Sequence, residues 1–226
     1  MYNDGLLTYV FEINNEGKPV PKEIRQPNYI EGVYNAAFIN DSLYVRDDFM
    51  MSPTLQLLTF NDELPRKSWR YGNPAILDRF IDPDWGHLYA NDSRIVFCYH
   101  WKKQIDFMDT NLNLLERVRF KYSSTDPITE KNQFDVKECY GSGYLGKRYL
   151  YALYRGASWN EFKKMSYRGS EIEVYDLDGE PVIKYRFDGI APRFFVVDEE
   201  TFTLYGVGAD GEPIDNLLVY KLKGLY

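Results

Sequence analysis

Short stretches of alternating apolar and polar residues recur along the 226-residue chain, and turn-forming residues separate them. Alternation with a period of two is typical of a β-strand that is buried on one face. One unit, made of a strand, a polar turn and a second strand, occurs four times, with turns at Asn40, Asn91, Gly146 and Asp198. Successive turns are therefore 51, 55 and 52 residues apart. Since Asn, Asp and Gly tolerate the left-handed backbone region, these turns predict β-hairpins.

A second kind of strand interleaves with the hairpins and also ends in a turn. It covers residues 7–14, 55–62, 104–111, 171–178 and 216–223. After the first four of these, a basic or aromatic strand of the kind found at sheet edges follows at residues 21–26, 66–71, 116–122 and 183–187. Two polar insertions, at 123–132 and 156–169, predict extended loops on an otherwise constant scaffold.

The hairpins and the interleaved strands together predict four antiparallel strands, A to D, in about fifty residues. This is the spacing of β-propeller blades, so the sequence predicts an all-β propeller of four-stranded antiparallel blades. A β-sandwich also has short antiparallel strands, but it does not explain two interleaved motifs that stay in phase. We expect a single domain over residues 1–226, with a half blade at 5–27 and blades at about 31–72, 84–122, 137–189 and 193–223.

The phase of the repeat leaves a partial blade at each end of the sequence. The chain opens on strands C and D and closes on A, B and C, which predicts seventeen strands in all. A closed ring needs whole blades, because unpaired strand edges promote aggregation. Either residues 7–14 serve as strand D of the last blade in a small four-bladed ring, or the ring lacks an N-terminal portion. We favour the second alternative, because residues 7–14 match strand C elsewhere and seven more strands would complete six blades.

Composition and charge argue against several classes of protein. The chain is 44% hydrophobic and 17% aromatic, which is ample for a packed core, and its many Tyr and Phe residues favour strands. Its formal net charge of −7, without a long basic run, argues against nucleic-acid binding. No window approaches the roughly eighteen apolar residues of a transmembrane helix. Residues 1–5 have neither the positive charge nor the apolar stretch of a signal peptide.

Cysteine and glycine motifs indicate no cofactor. Cys98 and Cys139 form no metal-binding or redox motif, so we expect two half-buried thiols, with a single disulfide between them as the alternative. Neither a P-loop nor a dinucleotide-binding glycine motif occurs. Gly141, Ser142 and Gly143 are expected instead to loosen the start of an A strand.

Two segments of the repeat resemble a known family. The tail Phe194–Gly206 (FFVVDEETFTLYG), followed by 216–220 (NLLVY), is similar to the C-terminal blade of the TolB-like six-bladed propeller proteins. The segment 94–97 (RIVF), followed by 104–107 (QIDF), is similar to it as well. The resemblance implies a six-bladed ring on an exported, periplasmic or cell-surface bacterial protein, often anchored by a lipid. This chain departs from that pattern in lacking an export signal and at least one N-terminal blade. The family supplies no catalytic motif.

Charged and aromatic residues follow strand B in three consecutive blades. Propeller ligands usually meet the face that the loops joining B to C form with the loops joining D to the next A. The predicted binding residues in these positions are Arg46, Asp47, Asp48, His100, Trp101, Arg155 and Trp159. Tryptophan beside a cation suits planar or sugar rings, and the cations suit carboxylates. We therefore expect a non-catalytic binding module for a glycan, a peptide or a protein; the alternative is that these loops are polar only because they are solvated.

His100 is the one candidate for catalysis. A propeller hydrolase or lyase would use it as a base, with Asp47, Asp48 or Arg155 within hydrogen-bonding reach. No metal site is expected, because neither His87 nor His100 belongs to a metal-binding motif. The acidic residues before His87 are explained by a turn at 82–84 (DPD).

Overall fold

A computed structural model describes residues 8–13, 18–25, 33–48, 53–62, 64–72, 82–120, 128–163, 170–187, 191–208 and 217–225. These residues form seventeen strands and one helix of a single turn. In chain order the elements are β1 (Thr8–Ile13), β2 (Pro19–Arg25), β3 (Val33–Phe38), β4 (Leu43–Asp48), β5 (Thr54–Thr59), β6 (Lys67–Arg70), β7 (Gly86–Ala90), β8 (Ile95–Tyr99), β9 (Gln104–Met108), β10 (Leu114–Arg119), β11 (Lys137–Leu145), β12 (Tyr149–Ser158), α1 (Trp159–Phe162), β13 (Glu171–Asp176), β14 (Pro181–Arg186), β15 (Phe194–Asp198), β16 (Thr203–Val207) and β17 (Leu217–Lys221).

The strands form five antiparallel sheets in which neighbours in sequence are neighbours in space. Three sheets have four strands each, in the orders β3-β4-β5-β6, β7-β8-β9-β10 and β11-β12-β13-β14. We number these blades 1, 2 and 3. Blade 4 has the three strands β15-β16-β17, and β1 pairs with β2 in a two-stranded sheet. In blades 1 to 3 the strands occur in the order A to D, and blade 4 has strands A to C.

The A strands of successive blades lie side by side. β3 contacts β7, β7 contacts β11, and β11 contacts β15. Sheets that meet through their first strands fan out around a common axis, which is the arrangement of propeller blades. The outer strands are correspondingly exposed, with alternating exposure along β6 and β14. The predicted fold class, a β-propeller of four-stranded antiparallel blades, is confirmed.

Short polar side chains build the turns. In the A–B hairpins, the Oδ1 atom of Asn40 accepts from the backbone N–H groups of Ser42 and Leu43. Asn91 makes the same pair of bonds to Ser93 and Arg94 in the next blade. These side chains occupy backbone donors that a tight turn leaves unpaired, which explains why Asn recurs at this point of the repeat.

Some turn residues also reach the next blade. The Asn91 side-chain amide donates to the Gly146 carbonyl at 2.6 Å. Nε of Arg94 donates to the Leu177 carbonyl at 2.9 Å, and Nη2 donates to Asp178 at 2.9 Å. Glu199 of blade 4 accepts from the backbone of blade 3, with 2.8 Å to the N–H of Lys147. At the end of the propeller where the A–B turns lie, side-chain hydrogen bonds therefore connect blade 2 to blade 3 and blade 3 to blade 4.

The hydrophobic core lies between the blades. We call the face that a blade turns toward the next blade in sequence its forward face. In blades 1 to 3, directly paired residues of strands A, B and C on this face are Ala37–Val45–Leu57, Tyr89–Val96–Phe107 and Tyr144–Tyr151–Val174. Each of these triplets packs in a core cluster with residues of the following blade. Burial between sheets, rather than inside one, is therefore the main source of stability.

The cysteines and the two polar insertions are placed as follows. Cys98 and Cys139 are both free and buried, and burial raises the pKa of the Cys139 thiol to about 12.

The second insertion was predicted to be a loop, which is wrong for its first residues: β12 continues to Ser158, and α1 begins at Trp159. Residues 123–127 and 164–169 lie outside the described residues. Within the described part of the chain, no helix is long and apolar enough to cross a bilayer.

Candidate functional site

The chain passes from strand B to strand C at one end of the propeller, which we call the B–C end. His100 and Trp101 lie there directly after β8. Trp85 lies beside them, because it immediately precedes β7 and its carbonyl accepts the N–H of His100 at 2.8 Å. The carbonyl of His100 accepts the N–H of Cys139 in blade 3 at 2.6 Å. Backbone hydrogen bonds therefore fix His100 between blades 2 and 3.

Three rings surround the His100 imidazole. Its centroid lies 4.6 Å from Trp85, 4.4 Å from Trp101 and 5.4 Å from His87. Nδ1 of His100 lies 3.1 Å from the Tyr140 carbonyl oxygen. Among the described residues, Nε1 of Trp101 is a buried donor without an acceptor. The cluster is thus an aromatic surface with one unused N–H group.

An ion pair from blade 3 adjoins this cluster. Nη1 of Arg155 donates to Oε2 of Glu138 at 2.5 Å, and the same carboxylate oxygen lies 4.0 Å from Nε2 of His100. Both partners are largely buried, with side-chain exposures of 20% for Arg155 and 11% for Glu138. Gly141 makes room for the guanidinium, because a Cβ atom at that position would lie 2.5 Å from Nε of Arg155. The ion pair brings blade 3 to the histidine.

Both histidines are held in the neutral state. Burial, with the nearby Arg155 cation, lowers the pKa of His100 to about 3, although the contact with the Tyr140 carbonyl acts in the opposite direction. Burial, His100 and Arg155 together lower the pKa of His87 to about 3 as well. At neutral pH neither ring is charged, and His100 is a much weaker base than an ordinary histidine.

The helix α1 follows β12, the strand that carries Arg155. Ser158 and Glu161 form a capping box, in which each side chain bonds the other's backbone N–H, and this starts the helix. Trp159 is 42% exposed, and the Lys163 ammonium lies 5.7 Å from its ring centroid. Phe162 of the same turn lies 5.8 Å from the Arg155 guanidinium carbon. The helix therefore connects the exposed Trp159 to the ion pair.

The predicted residues of blade 1 are separated by strand alternation. Arg46 donates twice to Gln56, and Gln56 donates to Asp48 at 3.0 Å, so Arg46 and Asp48 form a ladder across β4 and β5. Asp47 points to the opposite face, where it accepts from the Tyr71 hydroxyl at 2.6 Å. Arg46 and Asp47 are buried, at 5% and 0% exposure. The structure therefore brings together His100, Trp101 and Arg155, places Trp159 on the helix that follows the Arg155 strand, and leaves the blade 1 residues in contacts of their own.

Several residues of the site were not in the predicted set. They are Trp85, His87, Glu138, Tyr140 and Phe162. The helix was detectable in the sequence, because Ser158 followed by Glu161 is a capping-box pattern. Glu138 gave no such signal, because it meets Arg155 through the β11–β12 pairing, which has two irregularities in register between Glu138 and Ser142.

The charges of the site are balanced within the chain. Arg155 pairs with Glu138, and Lys102 pairs with Asp84 beside it. Lys163 adds a cation beside the Trp159 ring, so the site combines aromatic side chains, two ion pairs and one further ammonium group. Within the described residues, no three His, Cys, Asp or Glu side chains are grouped to hold a metal ion.

Fold and site together define a β-propeller with an aromatic and polar B–C end. No protein-family model matches the chain, and no curated protein matches it. Among solved structures, the chain is similar to the crystal structure of Hsv2 from Kluyvelomyces marxianus, at 11% sequence identity and a TM-score of 0.45. The similarity covers 90% of this chain and 66% of that chain, so this chain spans about two thirds of the length of Hsv2.

Proposed function

We propose that the chain is a non-catalytic binding module that takes a neutral glycan at its B–C end. The observation that carries the proposal is the exposed Trp159 on a helical turn whose Phe162 ring lies 5.8 Å from the guanidinium of Arg155, the partner of Glu138. A sugar ring offers an apolar face to an aromatic side chain and hydroxyl groups to paired donors and acceptors. A propeller is compatible with such a role, because its rigid sheets hold loop residues at fixed positions.

The charge balance favours a neutral ligand over an acidic one. The largely buried cations Arg155 and Lys102 are each already paired with a carboxylate, and the exposed Lys163 lies over the Trp159 ring.

The geometry of His100 supports binding over hydrolysis or lyase chemistry. A general base works best with a pKa near the working pH, whereas the pKa of His100 is lowered to about 3. Its Nδ1 atom faces a backbone carbonyl, and its Nε2 atom faces a carboxylate that already accepts from Arg155.

A glycan array followed by titration calorimetry tests the proposal. We expect at least one neutral oligosaccharide to bind, and Trp159→Ala to weaken its affinity about tenfold or more. Leu64→Ala is the matched control, because Leu64 is 78% exposed in the turn between β5 and β6, at the opposite end of the blade. Binding that is unchanged in Trp159→Ala, or binding only of peptides, would overturn the proposal.

The TolB-like assignment stays a prediction from the sequence. The observed blades agree with a propeller fold. A six-bladed ring and export to the periplasm or the cell surface are part of our proposal. Detection of the native protein in a periplasmic or membrane fraction would agree with that assignment.

A further inference from the structure

One face of blade 4 is apolar and exposed. Alternate residues on its three strands carry large hydrophobic side chains that solvent reaches. They are Phe194 (60% exposed), Val196 (52%), Tyr205 (38%), Val207 (38%), Leu217 (62%) and Val219 (53%). The opposite face of the same sheet packs into the core against blade 3 through Phe195, Val197 and Leu204. The exposed side chains therefore belong to a well-formed sheet.

These six residues form two continuous rows across the sheet. Phe194 pairs with Val207, which pairs with Leu217. In the second row, Val196 pairs with Tyr205, which pairs with Val219. Side chains at directly paired positions of adjacent strands touch, so the rows make one patch.

In the other blades, the residues at the positions of this patch are buried against the blade that follows. Val196, Tyr205 and Val219 are the A, B and C residues that correspond to Tyr144, Tyr151 and Val174 of blade 3. The blade 3 residues pack against blade 4, as the matching residues of blades 1 and 2 pack against the blades that follow them. The exposed face is thus shaped to receive the face of another β-sheet.

The size of the patch sets the strength of the expected contact. If each exposed fraction is multiplied by the usual surface area of that residue type, the six residues together expose on the order of 500 Å² of apolar surface. This lies at the upper end of what monomeric proteins expose in one patch. Two such faces in contact would bury about 1,000 Å², which is the lower limit for a specific interface.

We propose that two copies of this chain pair through the forward faces of blade 4. The six side chains of the patch are uncharged, so pairing of two patches brings no like charges together within them; Asp198 and Lys221 lie in the next row, at the margin of the same face. A twofold axis makes the contact isologous, and the assembly closes at two copies because each copy has used its exposed face. The packing is again sheet on sheet, but it joins two forward faces, whereas the forward face of blade 3 packs against the opposite face of blade 4. This proposal is independent of the glycan site at the B–C end.

Sedimentation velocity over a concentration series tests the dimer. We expect the full chain to be dimeric at about 100 µM, and Val219→Lys to weaken the dimer about tenfold or more, because it places a charge inside the apolar contact. Val182→Lys is the matched control, since Val182 is a 44% exposed valine on β14 of blade 3. Circular dichroism checks that each variant folds, and Tyr205→Glu repeats the test on a neighbouring strand.

The outcomes separate the proposal from its competitors. A chain that stays monomeric at about 100 µM, or a dimer that persists in both patch variants, overturns it. A dimer that only Val182→Lys disrupts also overturns it, because the contact would then lie on blade 3. Glycan binding is expected to be the same in Val219→Lys and in the unaltered chain, so failure of one proposal leaves the other testable.

Discussion

Nε2 of His87 lies 3.3 Å from Nδ1 of His100, and the two imidazole rings meet edge to face. The rings come from strand A of blade 2 and from the residue that follows strand B. A proton on either ring would face the other ring, the Arg155 cation and little solvent, which is why both pKa values are lowered to about 3. Two neutral histidines are therefore a condition of the folded state.

This pairing predicts that acid destabilises the protein well above the usual carboxyl range. Between pH 6.5 and about 3, the unfolded chain binds protons at both histidines and the folded chain does not. Stability is therefore complete above pH 6.5 and decreases as the pH falls. From pH 7 to pH 5 we expect a loss of about 2 kcal/mol per histidine in the free energy of unfolding, measured by urea denaturation.

The variant His87→Gln serves as the control for this effect. Gln does not titrate, so the loss between pH 7 and pH 5 should fall by about half. A stability profile that is flat between these pH values in the unaltered chain would contradict the neutral, buried placement of both rings.

Glu173 is predicted to be indispensable to the packing of blades 2 and 3. It is 4% exposed and accepts from Lys103 at 2.8 Å and from the hydroxyls of Tyr140 and Tyr175 at 2.9 Å each. Burial alone would raise its pKa, but hydrogen bonds and the Lys103 charge hold the pKa below its usual value. Glu173→Gln leaves Lys103 without its buried partner, and we expect a loss of about 3 kcal/mol.

Chemical denaturation at pH 7 measures this loss. Glu116→Gln on β10 is the control, because Glu116 is exposed and its replacement should change stability by less than about 0.5 kcal/mol. Equal effects of the two substitutions would show that the Glu173 network contributes nothing specific.

Asn91 is predicted to differ from Asn40 although both build the same turn. Asn91→Asp keeps the Oδ1 acceptor of the turn but replaces the donor to the Gly146 carbonyl with a second oxygen. We expect a loss of about 1.5 kcal/mol, because two acceptors then face each other. Asn40→Asp should be nearly neutral, since Asn40 is exposed and, in the described part of the chain, bonds only within its own hairpin. Thermal unfolding of the two variants side by side measures the difference, and equal melting temperatures would contradict it.

The blades could be predicted from the sequence because their turns and strands depend on residues that are close together along the chain. The turn at Asn91 uses the Asn side chain and its immediate neighbours, and strand alternation around it needs no distant contact. The same alternation explains why the site was only partly predictable. Arg46, Asp47 and Asp48 are adjacent in sequence, but a pleated strand turns the middle residue to the other face.

Other features of the site depend on register between strands. Arg155 meets Glu138 only because β11 and β12 pair with irregularities between them, and sequence spacing does not reveal these. His100 meets the Tyr140 carbonyl across the boundary between two blades, at a separation of forty positions. Such contacts follow from the arrangement of blades rather than from any one segment.

The hydrogen bonds from Arg94 to Leu177 and Asp178 also bear on the speed of folding. They join residues 83 and 84 positions apart, so their formation closes a long loop of chain. Proteins dominated by such distant contacts fold slowly, on a scale of roughly milliseconds to seconds, because loop closure costs entropy before the contacts compensate for it. Single blades should therefore acquire their hairpins early and dock late, with the Arg94 contacts among the last to form.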